Sequence, residues 1–252
     1  MERPQIEINE KKKVVLVVEA RVGSKRLPNK SLLCLAGEPL IYRILERLKK
    51  CKRVDNIVLA SPNTPRNKVF KKIAKKAKVS MFFGANQNIV KRHLQVAKKY
   101  KTDVIVRVPG DNCVSEPKEV DKIINFHLNL KERSFTSNLI PFFRSGYPDG
   151  IGAEVFDHAT LKEVSKKKLS TKQKEWLSIN FFDYKKEKVI NPKFCNVNTL
   201  KCPKSYRMPK LRLDVNTLSD YNFIKDIYDN LYSKKKLFSI KDVIKFLKRK
   251  KT

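Results

Sequence analysis

The chain has 252 residues, of which 41% are apolar and 33% charged. This length supports one α/β domain with a sizeable core, and no apolar run approaches the roughly 18–20 residues needed to cross a membrane. The 5 cysteines are scattered without Cys-x-x-Cys spacing, which argues against a disulfide framework. Because the polar residues 1–12 lack the apolar segment of a signal peptide, we expect a cytoplasmic protein with reduced thiols.

The formal net charge of +32 is high for a chain of this length. Such a positive field attracts nucleic acids, nucleoside triphosphates and acidic sugars alike. The lysines are spread along the chain in pairs and triplets, and no aromatic stacking motif accompanies them. We therefore interpret the charge as a lysine-rich surface, and nucleic-acid binding stays open as an alternative.

Short apolar runs typical of covered parallel strands alternate with helical patterns over the first part of the chain. The helical patterns place apolar residues on single stripes, as at Leu40, Ile44 and Leu48. This order predicts an α/β fold with a mostly parallel central sheet and helices on both faces. The predicted strands are residues 14–20, 57–60, 79–83 and 104–108.

The C-terminal half is less regular. Residues 153–156 and 211–215 have the pattern of strands, and two capping boxes then predict two helices. The capping pairs are Thr217 with Asp220 and Ser239 with Asp242. Since no long linker or internal repeat interrupts the chain, we expect one domain over residues 1–252. It would carry a polar N-terminal extension (1–12) and a C-terminal helix within 233–252.

Residues 20–30, here called the basic loop, follow the first predicted strand. Gly23 allows close backbone approach to a ligand, and successive amides with cationic side chains suit phosphate oxygens. The loop fits neither the Walker A spacing nor the dinucleotide-binding glycine pattern. Its position after a strand predicts an anion-binding loop at the carboxyl edge of the sheet. The predicted ligand contacts in the loop are Ala20, Arg21, Gly23, Ser24, Lys25, Arg26 and Lys30.

The string A-R-x-G-S-x-R-L-P-x-K at residues 20–30 resembles the cytidylyltransferases that make CMP-KDO and CMP-sialic acids. The similarity is greatest to the branch of spore-coat polysaccharide biosynthesis (SpsF-like) proteins. It continues in four further motifs and covers about residues 13–232. These motifs are residues 55–61, 103–112, 147–156 and 212–217.

The resemblance implies a three-layer, Rossmann-like nucleotide-diphospho-sugar transferase fold and Mg²⁺-dependent transfer from CTP to an acidic sugar, in a homodimer. It implies that the basic loop holds the triphosphate and that Arg21, Lys30 and Asp111 are catalytic. Nucleotide contacts outside the loop would be Ala60, Ser61 and Arg107.

Asp111 follows the predicted strand 104–108, and Mg²⁺ prefers carboxylate and phosphate oxygens. The family carries a second metal-binding Asp where this chain has Asn216. Asp214 lies two residues earlier and faces the same side of an extended chain. The predicted metal ligands are therefore Asp111, Asp214 and Asn216.

Five polar residues are predicted to contact the sugar. Glu154 lies inside a strand-like run, where a carboxylate needs a partner. That partner is a ligand hydroxyl, an Arg, the metal or a core salt bridge, and the sequence leaves these open. The predicted sugar contacts are Asn112, Tyr147, Asp149, Glu154 and Glu175.

Three alternatives remain open from sequence. One is a sugar-1-phosphate guanylyltransferase or other nucleotidyltransferase of the same fold, because nothing in the basic loop reads the base. Another is a non-catalytic basic protein that binds nucleotides or nucleic acid. The third is a homologue that binds nucleotide without reacting, which the Asn216 substitution keeps open.

Overall fold

The structure is a computed structural model that describes residues 11–24, 26–138 and 145–250. Its strands are β1 (Val14–Glu19), β2 (Cys34–Leu35), β3 (Glu38–Pro39), β4 (Asn56–Pro62), β5 (Ser80–Gly84), β6 (Val104–Pro109), β7 (Ser134–Ser137), β8 (Glu154–Asp157), β9 (Phe182–Asp183), β10 (Lys188–Val189) and β11 (Asn196–Asn198). Its α-helices are α1 (Leu40–Leu48), α2 (Phe70–Ala77), α3 (Ile89–Tyr100), α4 (Pro117–Leu128), α5 (His158–Ser165), α6 (Thr171–Glu175), α7 (Leu218–Leu231) and α8 (Ile240–Arg249).

Seven strands form the central sheet in the order β11-β7-β8-β6-β1-β4-β5. β1 is parallel to both neighbours, β4 and β6, whereas β8 is antiparallel to β6 and β7. The chain leaves β1 towards β4 and later leaves β6 towards the opposite edge of the sheet. The carboxyl ends of β1 and β6 therefore form a topological switch point, where open α/β sheets bind ligands.

The continuous apolar run of β1 reflects burial on both faces of the sheet. Leu16 and Val18 pack into a core with α1, while Val15 and Val17 pack into a second core with α3 and α5. Side chains alternate between the two faces, so a strand that is covered on both sides buries nearly all of them and is mostly apolar. The predicted three-layer architecture, mostly parallel with helices on both faces, is confirmed.

Most predicted elements are present with small shifts of their ends. β1, β4, β5 and β6 correspond to the four predicted apolar runs, and β8 lies one residue beyond the predicted 153–156. Both capping boxes form, at Thr217 before α7 and at Ser239 before α8. All five cysteines are free thiols.

The prediction of a strand at residues 211–215 is wrong. Arg212 and Asp214 form only isolated bridges, to Asp149 and Asn112 respectively. The segments that pair with them are turns, so only a few backbone hydrogen bonds form and no continuous strand pairing results. An alternating pattern therefore marks a segment with one buried side, which need not be a sheet strand. Within the described ranges, every helix is too short or too polar to cross a membrane.

Candidate functional site

A cavity of about 930 Å³ opens at the carboxyl ends of β1 and β6. The basic loop forms one wall, and the ends of both strands form the floor. The structure therefore confirms the position predicted for this loop, at the ligand-binding edge of the sheet. Of the ligand contacts predicted in the loop, the cavity lining includes Ala20, Arg21, Gly23, Ser24, Arg26 and Lys30. Lys25, also predicted here, lies outside the described residues.

A buried asparagine fixes the start of the basic loop. The side-chain oxygen of Asn67 accepts a hydrogen bond from the Val22 amide at 2.9 Å. Its Nδ2 donates to the Pro62 carbonyl at 3.1 Å and to the Thr64 hydroxyl at 2.8 Å. Because a buried polar side chain is costly to leave unpaired, these bonds hold the loop against the end of β4. Sequence reasoning did not identify Asn67.

Lys30 and Asp111 form a partly buried ion pair at the bottom of the cavity. Lys30 Nζ lies 2.7 Å from Asp111 Oδ2 and 2.7 Å from the Val215 carbonyl oxygen. Gly110, next to Asp111, lies against the end of β1, since a Cβ there would lie 1.8 Å from the Glu19 carbonyl oxygen. Only glycine lets the end of β6 come this close to the end of β1. The predicted proximity of Lys30 to Asp111 is thus present.

The other two predicted metal ligands lie beside this pair. Arg26 Nη2 donates to Asn216 Oδ1 at 2.6 Å, and the Asn216 side-chain amide donates to Asp214. Asp214 also pairs with Arg212, with its two oxygens 2.8 and 3.1 Å from the guanidinium nitrogens. The contact between Asp214 and Asn216 confirms that both face the same side. The Val215 amide donates to the Asp111 carbonyl at 3.0 Å, which joins the two ligand-bearing segments.

The donor set at this position suits a hard divalent cation. Asp111 and Asp214 supply carboxylates, while Asn216 and the Val215 carbonyl supply neutral oxygens. The Lys30 ammonium touches two of these groups, which shows that the oxygens accommodate positive charge. No cluster of three or more His, Cys, Asp or Glu side chains suited to a metal occurs among the described residues. Mg²⁺ takes one or two carboxylates and completes its shell with phosphates and water, and the two carboxylates beside neutral oxygens meet that need.

The pKa of Asp149, one of the predicted sugar contacts, is higher than the ordinary value for an aspartate. Burial and the nearby carboxylate of Asp214 raise the pKa of Asp149 to about 6, although Arg212 opposes the shift. Its backbone pairs with residues 211–213. Asp149 therefore belongs to the acidic group around Asp214.

A buried ion-pair row crosses the sheet on the face covered by α3. Arg107 donates from Nη2 to Glu19 at 2.9 Å and from Nη1 to Glu154 at 2.8 Å. Burial alone would lower the pKa of Arg107, but the two carboxylates raise it. Burial alone would raise the pKa of Glu19, but Arg107 holds it below its ordinary value. Glu154 thus makes the core salt bridge that the sequence left open, and the charge of Arg107 is compensated within the protein.

Several predicted contacts lie away from the cavity wall formed by the described residues. Ala60 and Ser61 are fully buried within β4, because that strand is covered on both faces. Tyr147 is buried, and its hydroxyl donates to Glu119 at 2.7 Å. Asn112 is buried behind Asp111. Glu175 lines the cavity. The lining formed by the described residues does not include these four residues or Glu154, Asp149, Asp214 and Asn216. Their contacts with a ligand stay predictions.

Arg92 on α3 also lines the cavity and was not identified from sequence. It lies three residues after Ile89 and four before Val96, so it shares the buried face of the helix. The sequence signal that could have identified Arg92 is therefore a cationic residue at an otherwise apolar position of the helix. Burial lowers the pKa of Arg92, and Glu19 opposes this shift.

An anion-binding loop and a carboxylate that meet at the switch point of a mostly parallel sheet define a nucleotide-binding α/β protein. Residues 15–245 match the model of the cytidylyltransferase family, and the chain belongs to this family. It is accordingly an enzyme, a nucleotidyltransferase.

Similar proteins share most of the chain. An uncharacterized protein, MJ1063, of Methanocaldococcus jannaschii is 28% identical over 85% of this chain and 83% of its own length. The spore coat polysaccharide biosynthesis protein SpsF of Bacillus subtilis is 26% identical over 85% and 86%.

Solved structures show the same fold. A cytidylyltransferase from Leptospira borgpetersenii superimposes with a TM-score of 0.81 at 27% identity, over 95% of both chains. A CMP:2-keto-3-deoxy-manno-octonic acid synthetase complexed with CTP gives a TM-score of 0.60 at 16% identity, over 86% of this chain and 98% of that one.

Proposed function

We propose that this protein is a Mg²⁺-dependent cytidylyltransferase that joins CMP from CTP to an acidic sugar and releases pyrophosphate. The observation that carries the proposal is the contact of two basic-loop cations that line the cavity with oxygens of the predicted metal ligands. Lys30 contacts Asp111, and Arg26 contacts Asn216. Transfer from a triphosphate requires neutralisation of its negative charges by cations and a divalent metal, and this arrangement offers cations together with oxygens that would hold such a metal.

The residues divide between the two ends of the triphosphate. Arg21, Ser24, Lys25, Arg26 and the Gly23 backbone hold the β- and γ-phosphates. Ala20, at the end of β1, lies against the nucleotide, as does Arg107 on the floor. Lys30 lies closer to the α-phosphate.

Asp111, Asp214 and Asn216 would hold Mg²⁺, which would supply positive charge to neutralise phosphate oxygens. A hydroxyl oxygen of the sugar forms a bond to the α-phosphorus and releases its proton to solvent. The bond from this phosphorus to the bridging oxygen breaks, and that oxygen leaves with pyrophosphate. Lys30 stabilises the negative charge that grows there. Glu175 and Asp149 accept hydrogen bonds from sugar hydroxyls.

The similar proteins support the choice of substrates. A protein with this fold has been crystallised with CTP and is named for a keto sugar acid, and SpsF is named for polysaccharide biosynthesis. We therefore place the reaction in the supply of activated sugars for surface polysaccharide. The predicted homodimer and cytoplasmic location remain predictions.

Pyrophosphate release from CTP, UTP, GTP and ATP, each with Mg²⁺ and a panel of sugar acids, tests the proposal. We expect release from CTP with at least one acid, and loss of release in Asp111→Asn together with weaker Mn²⁺ binding. Faster release with another nucleotide would replace CTP in the proposal. An Asp111→Asn variant with unchanged metal dependence would remove Asp111 from the metal site.

A further inference from the structure

We propose that Arg92 binds the carboxylate of the sugar in the part of the cavity that lies on the face of the sheet covered by α3. This inference rests on the proposed function and assigns a role to a residue that the motifs do not contain.

The side chain of Arg92 is buried but lacks a counter-ion. The residue is 4% exposed. Its Nε donates to the Ala85 carbonyl at 2.9 Å and its Nη2 to the Asn86 carbonyl at 2.7 Å. No carboxylate forms an ion pair with it in the described part of the chain. A guanidinium has five N–H donors. The two backbone carbonyls orient the Arg92 guanidinium and use two of these donors, which leaves others for a ligand.

A buried cation without an opposite charge is costly, and the cost is removed when an anion is bound beside it. Arg107 shows the contrast on the same face of the sheet. There the charge is compensated by Glu19 and Glu154, and no ligand is required. Arg92 lines the cavity near Glu19 but forms no direct ion pair within the described part of the chain, so we assign the anion that it pairs with to the ligand.

The surroundings of Arg92 suit a sugar acid better than a phosphate. Glu19 lies on the α3 face because side chains alternate along β1 with Val15 and Val17. Glu175 and Thr171 approach from α6, which packs against α3. Carboxylates repel a multiply charged phosphate more strongly than a singly charged sugar acid, and they accept hydrogen bonds from the hydroxyls of the sugar. Glu19 Oε1 is buried and without a hydrogen-bond partner among the described residues, which leaves an acceptor unused.

The basic loop has the opposite character. Two of its cations, Lys30 and Arg26, contact Asp111 and Asn216. The triphosphate therefore has cations of its own, and the part of the cavity at Arg92 combines one buried cation with several oxygen acceptors. A ligand with one carboxylate and several hydroxyls matches this set.

Binding measurements on whole protein test the proposal. The probes are 3-deoxy-manno-octulosonate, N-acetylneuraminate and glucuronate, each compared with its methyl ester, and an unreactive α,β-methylene analogue of CTP with Mg²⁺. The proteins are wild type, Arg92→Met, Arg92→Lys and, as control, Lys91→Met on the exposed side of α3. Calorimetry gives the affinities, and nucleotide binding by the variants shows that they are folded.

We expect the wild type and Lys91→Met to prefer at least one acid over its ester. Arg92→Met should lose about 10- to 100-fold in affinity for that acid, the scale of a hydrogen-bonded charge, and little for its ester. Arg92→Lys should fall between, and nucleotide affinity should change by less than about twofold. The inference is overturned if no acid is preferred, or if Arg92→Met loses nucleotide affinity while keeping the acid. A wild type that binds acid but no nucleotide would refute the proposed function alone.

Discussion

Lys30 donates two short hydrogen bonds to groups that come from distant parts of the sequence. Asp111 lies at the end of β6, and Val215 lies in the segment before α7. Because both contacts fix the ammonium group, its position is set before any reaction occurs. A charge held in this way needs no reorganisation when negative charge grows on a leaving oxygen.

We predict that Lys30→Met lowers kcat for pyrophosphate release by about 10²- to 10³-fold, the scale for one preorganised donor. The exposed Lys245 on α8 provides the control, since Lys245→Met removes the same charge far from the cavity. Steady-state kinetics at saturating CTP and Mg²⁺ measures the effect. Equal rates in the two variants would exclude Lys30 from the chemistry.

A second prediction concerns His93, which is fully buried under the ion-pair row. Burial lowers its pKa to about 4, although the nearby Glu19 opposes the shift. The unfolded chain takes up the proton near pH 6.5, whereas the folded chain resists until about pH 4. The free energy of unfolding should therefore fall by up to about 3 kcal/mol as the pH falls between these values.

Urea unfolding from pH 7 to pH 4.5 measures this loss. Other carboxylates titrate in the same range, so the comparison is with His93→Gln, which carries no proton to take up. The variant should show a shallower decline with falling pH. Parallel curves for the two proteins would contradict the assigned pKa.

Sequence alone could identify the residues of the site that lie in continuous motifs. The basic loop, Asp111 and Asn216 are of this kind, and the structure brings them together. It could not identify Asn67 or Arg92, because their roles depend on which buried groups or charges lie opposite them. Glu154 shows the same limit, since the sequence indicated that it needed a partner but not that Arg107 on β6 was the partner.

Two capping boxes of the same type begin α7 and α8, and only one of them borders the site. Thr217 Oγ1 accepts from the Asp220 amide at 3.2 Å, while Asp220 Oδ2 accepts from the Asn216 amide at 3.0 Å. The cap of α7 thus fixes the segment that carries Asn216. Ser239 caps α8 in the same way but at a distance from the cavity.

We predict that Thr217→Ala and Ser239→Ala each lower the free energy of unfolding by about 1 kcal/mol, the usual cost of losing such a cap. Only Thr217→Ala should also weaken Mn²⁺ binding, because it loosens the backbone beside Asn216. Urea unfolding and Mn²⁺ titration test the two halves of this prediction. Equal Mn²⁺ affinities in the two variants would show that the cap does not position the ligand.

Elements were predictable where local pattern and tertiary environment agree. β1 has an apolar run because it is central and covered on both faces, and the caps depend only on neighbouring residues. Residues 211–215 alternate in the same way as a strand, yet they lie against turns. Periodicity reports which side of a segment is buried, and only the fold decides what it pairs with.

At the scale of the whole molecule, positive charge dominates the surface. The chain has 57 Lys and Arg residues but 25 Asp and Glu residues, so 32 cations would remain even if every acid neutralised one. Their mutual repulsion opposes the compact state, and salt screens it.

We therefore predict that the melting temperature rises when NaCl is increased from about 0.01 M to about 0.15 M, as the screening length falls from about 30 Å to about 8 Å. Each 1 kcal/mol of relieved repulsion corresponds to about 2–4 °C for a chain of this size. Calorimetry in a buffer free of phosphate and sulfate avoids specific anion binding. KCl should act equally, and a falling melting temperature would contradict the prediction.

Arg26 contacts Asn216 and Lys30 contacts Val215, so the site joins residues that are synthesised at very different times. During synthesis, the basic loop and Asp111 leave the ribosome long before residues 215 and 216 have been translated. A nascent chain, or a proteolytic fragment that ends before Arg212, therefore carries the basic loop and Asp111 without the oxygens of Val215 and Asn216. If the proposed function holds, the site is complete only after translation has passed the segment before α7.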